Sequence, residues 1–397
     1  ISGTFAAQGP ELVVPGTVSG GDASVAYLVP WGSAPAVRFL TNALRQGLDV
    51  KSSDKAFTHS GKRYPAGTLI IDVADNPDTL SGTIETLASS SGAEVVSVDN
   101  SWVTDGPNFG SENVVRFNQP KVAIAWDQPT SSYSAGNTRF IIERQFDYPV
   151  TAIRVDQLKR ADLSRYQVLI LPENGWRADY AEALGGKGTA NLKDWVEKGG
   201  VLIGLGNAIR FLADPETDLL SIRRENAVVE VDKEKAKSNG TDKEVGEKAQ
   251  EATVEGQYLT SSEDFKALIT PEKDKPDSVA GVLVKSNVDP DHWLGAGVSS
   301  TLNVLVRGSD IYTPVKMDKG VNVAVFSGPD DLLASGYIWE QNRKQLAYKP
   351  FVVAQPSGRG YVIGFTQDPN VRAYLDGLNI IFMNAILRGS AHARPLR

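Results

Sequence analysis

Apolar residues along this chain fall into two recurring patterns, short uninterrupted runs and stripes spaced at i, i+3 and i+4. Val25-Ala26-Tyr27-Leu28-Val29 predicts a buried strand, and Val37, Leu40 and Leu44 follow as one face of a helix. Ser33 stands at the N-cap of that helix, Pro35 in its first turn, and Gly47 closes it. A strand over 68–73, a helix marked by Leu80, Ile84 and Leu87, and a strand over 94–98 complete a small α/β unit, residues 1–118. Residues 99–118 are loop-rich and set its boundary.

The second unit, residues 119–397, repeats the alternation. Val122-Ala123-Ile124-Ala125-Trp126 predicts a buried strand, a helix is expected over 137–146, and strands over 150–153 and 168–171. This order predicts a parallel, doubly wound, flavodoxin-like sheet with right-handed crossovers. Residues 191–213 are the most informative stretch. Leu192, Trp195 and Val196 form a helical stripe, Gly199-Gly200 ends the helix, and Val201-Leu202-Ile203 is a strand. Gly204-Leu205-Gly206-Asn207 then makes a sharp elbow before Ala208, Phe211 and Leu212 resume helical spacing. Many enzymes place a Ser or Cys at the apex of such a turn, beside backbone amides that bind an oxyanion. The apex here is glycine.

Over 223–277 the pattern dissolves into Lys, Glu, Asp, Ser and Gly, which predicts a solvated, charged insertion. Asn239-Gly240-Thr241 within it matches the glycosylation pattern, a match common by chance. A strand-rich portion follows, with candidates at 281–285, 302–307, 321–326, 351–354 and 361–365. A last helix is expected to bury Leu378, Ile381, Phe382, Ala385 and Ile386 and to end at Arg388-Gly389.

Composition narrows the function classes. The chain has 397 residues, 41% hydrophobic and 22% charged, as in globular proteins. A net charge of −7 without a basic stripe argues against a nucleic-acid partner. No apolar run approaches the length of a membrane span. Cysteine is absent, which removes disulfides, thiolate catalysis and Cys-ligated metal. The chain opens at Ile1 with neither Met nor a signal-type segment, so a fragment or processed product is expected. His292 between Asp289, Asp291 and Trp293 is a poor metal-ligand set and is expected to be structural. Gly204-x-Gly206 has Ile209 where a dinucleotide fingerprint needs its third glycine. Trp31 and Trp102 lie near loop glycines and are expected to be exposed, as candidates for an interface.

The elbow and the segment Phe365-Thr366-Gln367-Asp368-Pro369-Asn370 resemble the class I glutamine amidotransferase-like fold, over roughly 120–389 apart from the insertion. Active members carry a Cys on the elbow and a His-Pro-Glu segment after a late strand. On that pattern Gly206 takes the Cys position, Asp368 the His position and Asn370 the Glu position. The resemblance therefore implies a degenerate site. A carboxylate does not replace an imidazole base near neutral pH without a large pKa shift, and no nucleophile remains for it to activate.

The order of segments is also similar to the C-terminal region of bacterial carboxypeptidase A-like zinc peptidases. There a peptidase domain precedes a small α/β region and a degenerate amidotransferase-like domain. The matching pieces include Gly61-Lys62-Arg63-Tyr64-Pro65-Ala66-Gly67, Ser134-Ala135-Gly136, Asp289-Pro290-Asp291-His292-Trp293 and Phe382-Met383-Asn384-Ala385-Ile386. Such enzymes hold zinc through a His-x-x-Glu pair and a distant His. His59, His292 and His392 are followed three residues on by Lys62, Gly295 and Pro395, so no such pair occurs here. The resemblance implies a peptidase domain ahead of Ile1, zinc in that domain alone, no cofactor in this chain, and a periplasmic or secreted location.

The expected role is that of a non-catalytic accessory region of an exported zinc metallocarboxypeptidase. It would dock on its own peptidase domain, pair with a second copy or present substrate. A different reading is a peptide- or sugar-binding module, with Asp127, Tyr133, Glu173, Trp176 and Asn207 lining the crevice at the strands' carboxyl ends. Against it stands an ordinary polar loop over the sheet edge. A third is a hydrolase with an unrecognised site, which requires a carboxylate of raised pKa beside a base or a metal.

Overall fold

The computed structural model describes residues 14–175, 179–228, 260–262, 275–372 and 374–394. Nine short strands build the first unit: β1 (Thr17–Ser19), β2 (Ala26–Val29), β3 (Lys51–Ser53), β4 (Phe57–His59), β5 (Lys62–Tyr64), β6 (Leu69–Asp72), β7 (Glu94–Val98), β8 (Val103–Asp105) and β9 (Val114–Arg116). Six form a sheet in the order β1-β7-β2-β6-β3-β9, parallel only between β1 and β7. The period of two along a strand divides its residues between two packing layers. Tyr27, Val29, Leu69 and Ile71 meet α1 (Ala34–Arg45) and α2 (Leu80–Ser91). Ala26, Leu28 and Ile70 meet Phe57 and Tyr64 of the small β5-β4-β8 sheet. Helix α1 starts as its sequence predicts, with the Ser33 hydroxyl accepting from the Ala36 N–H at 3.2 Å.

The second sheet joins β10 (Val122–Trp126), β11 (Val150–Arg154), β12 (Val168–Leu171), β13 (Val201–Leu205), β14 (Val279–Val288), β15 (Thr301–Gly308), β16 (Val321–Phe326), β17 (Leu333–Ser335), β18 (Pro350–Ser357) and β19 (Gly360–Phe365). Its order is β11-β10-β12-β13-β19-β18-β16-β14-β15, with β17 also on β14. From β11 to β19 every neighbour is parallel, and the rest of the pairs are antiparallel. This is the doubly wound sheet expected from the sequence, with the strand-rich portion continuing the same sheet rather than folding apart. Leu169, Leu171 and Leu202 face α5 (Tyr180–Glu197) and the single turn α6 (Ile209–Leu212). Val168, Ile170, Val201 and Ile203 face the opposite way, toward the last helix, α8 (Asn379–His392). The remaining helices are α3 (Ser132–Phe140), α4 (Val155–Leu158) and α7 (Glu340–Leu346).

Several boundaries differ from expectation. The helix expected over 137–146 begins earlier, because the Ser131 hydroxyl caps the Ser134 N–H, and it passes into a π-turn over Ile141–Gln145. Helix α8 does not end at Gly389. That residue lies inside the helix, where a Cβ would stand 3.3 Å from Val201 and 3.5 Å from Ile363, so glycine lets the helix approach the sheet. Trp31 is not exposed. It is 5% accessible and its indole N–H donates to the Asn384 side-chain carbonyl at 3.0 Å. Most of the 223–277 stretch, with Asn239, lies outside the described residues; Arg223 is within them, and its carbonyl accepts from the Thr313 N–H.

Helix α8 is buried from Ile381 to Ser390, on all sides. The α1–α2 layer and the second sheet contribute to the same core. Arg388, fully buried in α8, crosses from one unit to the other. Its Nη1 donates to the Ser52 hydroxyl at 2.7 Å, its Nε to the Trp293 carbonyl at 3.1 Å, and its Nη2 to Asp54. The other Asp54 oxygen meets His392 Nε2 at 2.8 Å. Burial alone would push the Asp54 carboxyl up. The His392 hydrogen bond and the Arg388 charge outweigh it and hold the carboxyl below the usual carboxylate range.

Removing Asp54 leaves the Arg388 charge buried and unmatched. We expect Asp54→Ala to lower unfolding free energy by roughly 3–5 kcal/mol in urea titrations near neutral pH. Asp54 is more acidic folded than unfolded, so its contribution is present above its unfolded pKa of about 3.9 and is lost as pH falls. The Asp54→Ala protein should therefore show a shallower acid limb than the parent.

Candidate functional site

The site lies where β12, β13 and β19 end. Strand β13 runs into Gly206, whose φ of +52° turns the chain sharply before a 3-10 turn and α6. Gly204 lets α6 press on the strand, since a Cβ there would stand 2.4 Å from Leu212. The elbow predicted from the sequence is thus formed, and its apex has the left-handed backbone of a nucleophile elbow. A Cβ on Gly206 would fall 2.1 Å from the Glu173 carboxylate oxygen and 2.6 Å from its Cγ. Glu173, just past β12, occupies the space that an elbow side chain would need.

Asp368, just past β19, joins this arrangement and is 5% accessible. Its two oxygens accept from the Ser134 hydroxyl at 2.5 Å and from the Asn370 N–H at 2.9 Å. The Ser134 oxygen in turn accepts from the Glu173 N–H at 3.1 Å. Ser134, on α3, therefore ties the ends of β12 and β19 together. It is fully buried and its hydroxyl is engaged on both sides, which does not suit a nucleophile. Asn370 is also fully buried and donates to the Thr138 hydroxyl at 3.0 Å.

Charge around the pair is uneven. Arg307 of β15 approaches Glu173 at 3.7 Å, while its backbone N–H donates to the Gln367 side chain at 3.0 Å. Arg210 is held by Asp310 at 2.7 Å, as is Arg224. Burial raises the Glu173 carboxyl, and Arg307 opposes that rise only in part. Burial and then the neighbouring Glu173 charge push Asp368 up to about 7, against the hydrogen bonds from Ser134 and Asn370. Asp368 is thus a buried carboxyl held well above the usual carboxylate range by desolvation and by Glu173.

The other expected residues are placed differently. Asn207 holds the Asn174 backbone, accepting from its N–H at 2.5 Å and donating to its carbonyl at 3.3 Å, so its amide serves the elbow. Asp127 is solvent-exposed and lies 3.9 Å from Arg154 at the outer strand, and Tyr133 is 55% accessible. Trp176 lies outside the described residues. Gly206, Glu173, Asp368 and Asn370 are therefore brought together, while Asp127 and Tyr133 remain on the surface. Arg307 and Asp310 escaped the sequence reading because they come from the strand-rich portion, and only tertiary folding brings them to the elbow. Ser134 was visible only as part of a matching segment.

The three histidines do not suit zinc. His59 Nε2 meets the Asn100 carbonyl at 2.9 Å, His292 Nδ1 accepts from the Leu294 N–H at 3.2 Å, and both His392 nitrogens face oxygens of Arg388 and Asp54. Burial lowers His292 to about 4, as for a neutral structural imidazole. Among the described residues no group of three or more His, Asp or Glu is arranged to hold a metal ion, and no helix is long and apolar enough to cross a membrane.

Two outcomes follow from this geometry. Gly206→Cys forces a left-handed non-glycine backbone and displaces Glu173, so it should cost roughly 1–3 kcal/mol in chemical denaturation. Adding Glu173→Ala should recover part of that loss, a non-additivity that separates the clash from the backbone strain. Asp368 is less acidic folded than unfolded, so the folded state holds its proton between about pH 4 and pH 7 and stability falls as pH rises through that window. Asp368→Asn should remove this slope and raise stability at pH 8 by roughly 1–3 kcal/mol, read from thermal or urea unfolding at several pH values.

No protein-family model and no curated protein matches the chain. Among solved structures, a ThuA-like protein from Parabacteroides merdae is similar at 11% identity, over 70% of this chain and 92% of that one, with a TM-score of 0.42. A ThuA-like protein from Bacteroides uniformis follows at 13% identity, 68% and 90% coverage, and a TM-score of 0.37. A glutamine amidotransferase from Thermotoga maritima is similar at 8% identity, 63% and 75% coverage, and a TM-score of 0.36. The doubly wound α/β order and the elbow stand on the strand pairing and backbone of this chain itself.

Proposed function

We propose that this chain is a non-catalytic accessory region serving a zinc metallocarboxypeptidase, as a rigid body that docks on the peptidase domain. The observation that carries the non-catalytic part is the filled elbow, where the Glu173 carboxylate stands in the space of an apex side chain. The buried Arg388 contacts support a body whose two units keep one arrangement. The peptidase partner, its zinc and an exported location rest on the order of sequence segments. A peptide or glycan ligand in the crevice is less favoured, because Glu173 takes the apex space and Asp368 and Asn370 are buried beside it. One observation favours the hydrolase alternative: the Asp368 carboxyl sits near neutrality beside Glu173.

The test compares peptide hydrolysis by the whole protein with that of a version lacking this region, with the region then added back in trans. Loss of kcat/KM or of thermal stability on removal, restored by add-back, is expected. No change in either would defeat the accessory role. The isolated chain should show no turnover of amide, ester or peptide substrates with or without chelator. Turnover that disappears in Asp368→Asn would establish the hydrolase instead.

A further inference from the structure

We infer that the concavity beside Trp102, on the first unit, is a binding site for a neutral saccharide. This site is separate from the elbow and does not rest on the reading given to it. The concavity measures about 520 Å³ and lies between the loop around Trp102 and the end of β6. Trp102 is 75% accessible, so a large apolar ring is displayed to water and not packed in the core. Phe109, buried beneath it, also lines the concavity, and Asn100, Ser101, Asn108 and Asp72 supply polar groups around it.

The backbone that carries the indole is braced. The Asn100 side-chain oxygen accepts from the Trp102 backbone N–H at 3.0 Å, and the Asn100 carbonyl meets His59 Nε2 at 2.9 Å. His59 is 2% accessible, and its ring stacks on Phe109 at 5.9 Å. Strand β8 leaves the loop already paired with β4. A loop anchored in this way loses little freedom on binding, which favours an otherwise weak ligand.

The polar groups select against an anionic ligand. Lys51 Nζ already pairs with Asp72 at 2.5 Å and Asp75 at 2.7 Å, and Arg116 is close to Asp75 at 3.4 Å. Arg116 also pairs with Asp49 at 2.7 Å, so both local cations are engaged within the protein and the cluster keeps one carboxylate in excess, which leaves amides, a hydroxyl and carboxylate lone pairs as donors and acceptors. An apolar platform edged by such groups complements a ring with one C–H face and a rim of hydroxyls. That combination is the chemistry of a sugar.

The whole chain would be titrated by calorimetry with three probes, the hexasaccharides of β-1,4-linked N-acetylglucosamine, β-1,4-linked glucose and α-1,4-linked glucose. At least one should bind with a Kd of ~1 mM or tighter. Trp102→Ala should weaken that binding about tenfold or more, Trp102→Phe by about threefold or less, and Asn108→Ala measurably, with unchanged melting temperature. In the unmodified protein the bound probe should shift the Trp102 indole N–H resonance, which keeps the test decisive even if a variant misfolds. No binding by any probe at ~10 mM, or binding indifferent to both Trp102→Ala and Asn108→Ala, overturns the proposal. Loss of peptidase-domain association in Trp102→Ala, without sugar binding, would overturn it too and assign the surface to a protein contact.

Discussion

A guanidinium with no access to water needs acceptors wherever it is placed, and those for Arg388 come largely from the other unit. Ser52 and Asp54 belong to the first unit and Trp293 to the second, while Arg388 rides on the last helix. The pairing constrains the relative position of both sheets, because a shift of either would strand a buried charge. Apolar packing supplies most of the driving force, with α8 buried on every side, but apolar contacts tolerate sliding. The ion pair and the Trp31–Asn384 hydrogen bond do not, so they define the register in which the two units meet.

At the elbow the same logic runs in the opposite direction. Glycine at the apex permits a left-handed backbone, and the absent side chain leaves room that Glu173 fills. Filling that room buries a carboxyl, and the cost appears as raised proton affinity at Glu173 and Asp368. Ser134, Arg307 and the Asn370 backbone compensate part of it. The outcome is a buried polar cluster in which Ser134, Asp368 and the Glu173 and Asn370 backbones hold one another, while the Asn370 side-chain oxygen is left without a partner.

Much of this was legible in the chain. Runs such as Val122 to Trp126 and Val201 to Ile203 read as parallel strands because both of their faces are covered, and the Gly-rich elbow declared itself by spacing. The absence of Cys, Ser or Thr at the elbow was also visible. The errors have one source: residues whose meaning depends on a distant partner. Gly389 reads as a helix end, yet Val201 and Ile363 make it a close-packing position. Trp31 beside a loop glycine reads as exposed until Asn384 closes over it.

By itself the sequence determined the alternation of strands and helices, the doubly wound order and the absence of a nucleophile on the elbow. These are local properties, set by hydrophobic period, by glycine's backbone freedom and by residue identity. The tertiary structure alone decided which side chain fills the vacant apex, that Asp368 holds its proton near neutrality, and that Arg388 joins the two units. Each of these depends on desolvation and on charges brought together across long stretches of chain, and no local pattern of residues encodes them.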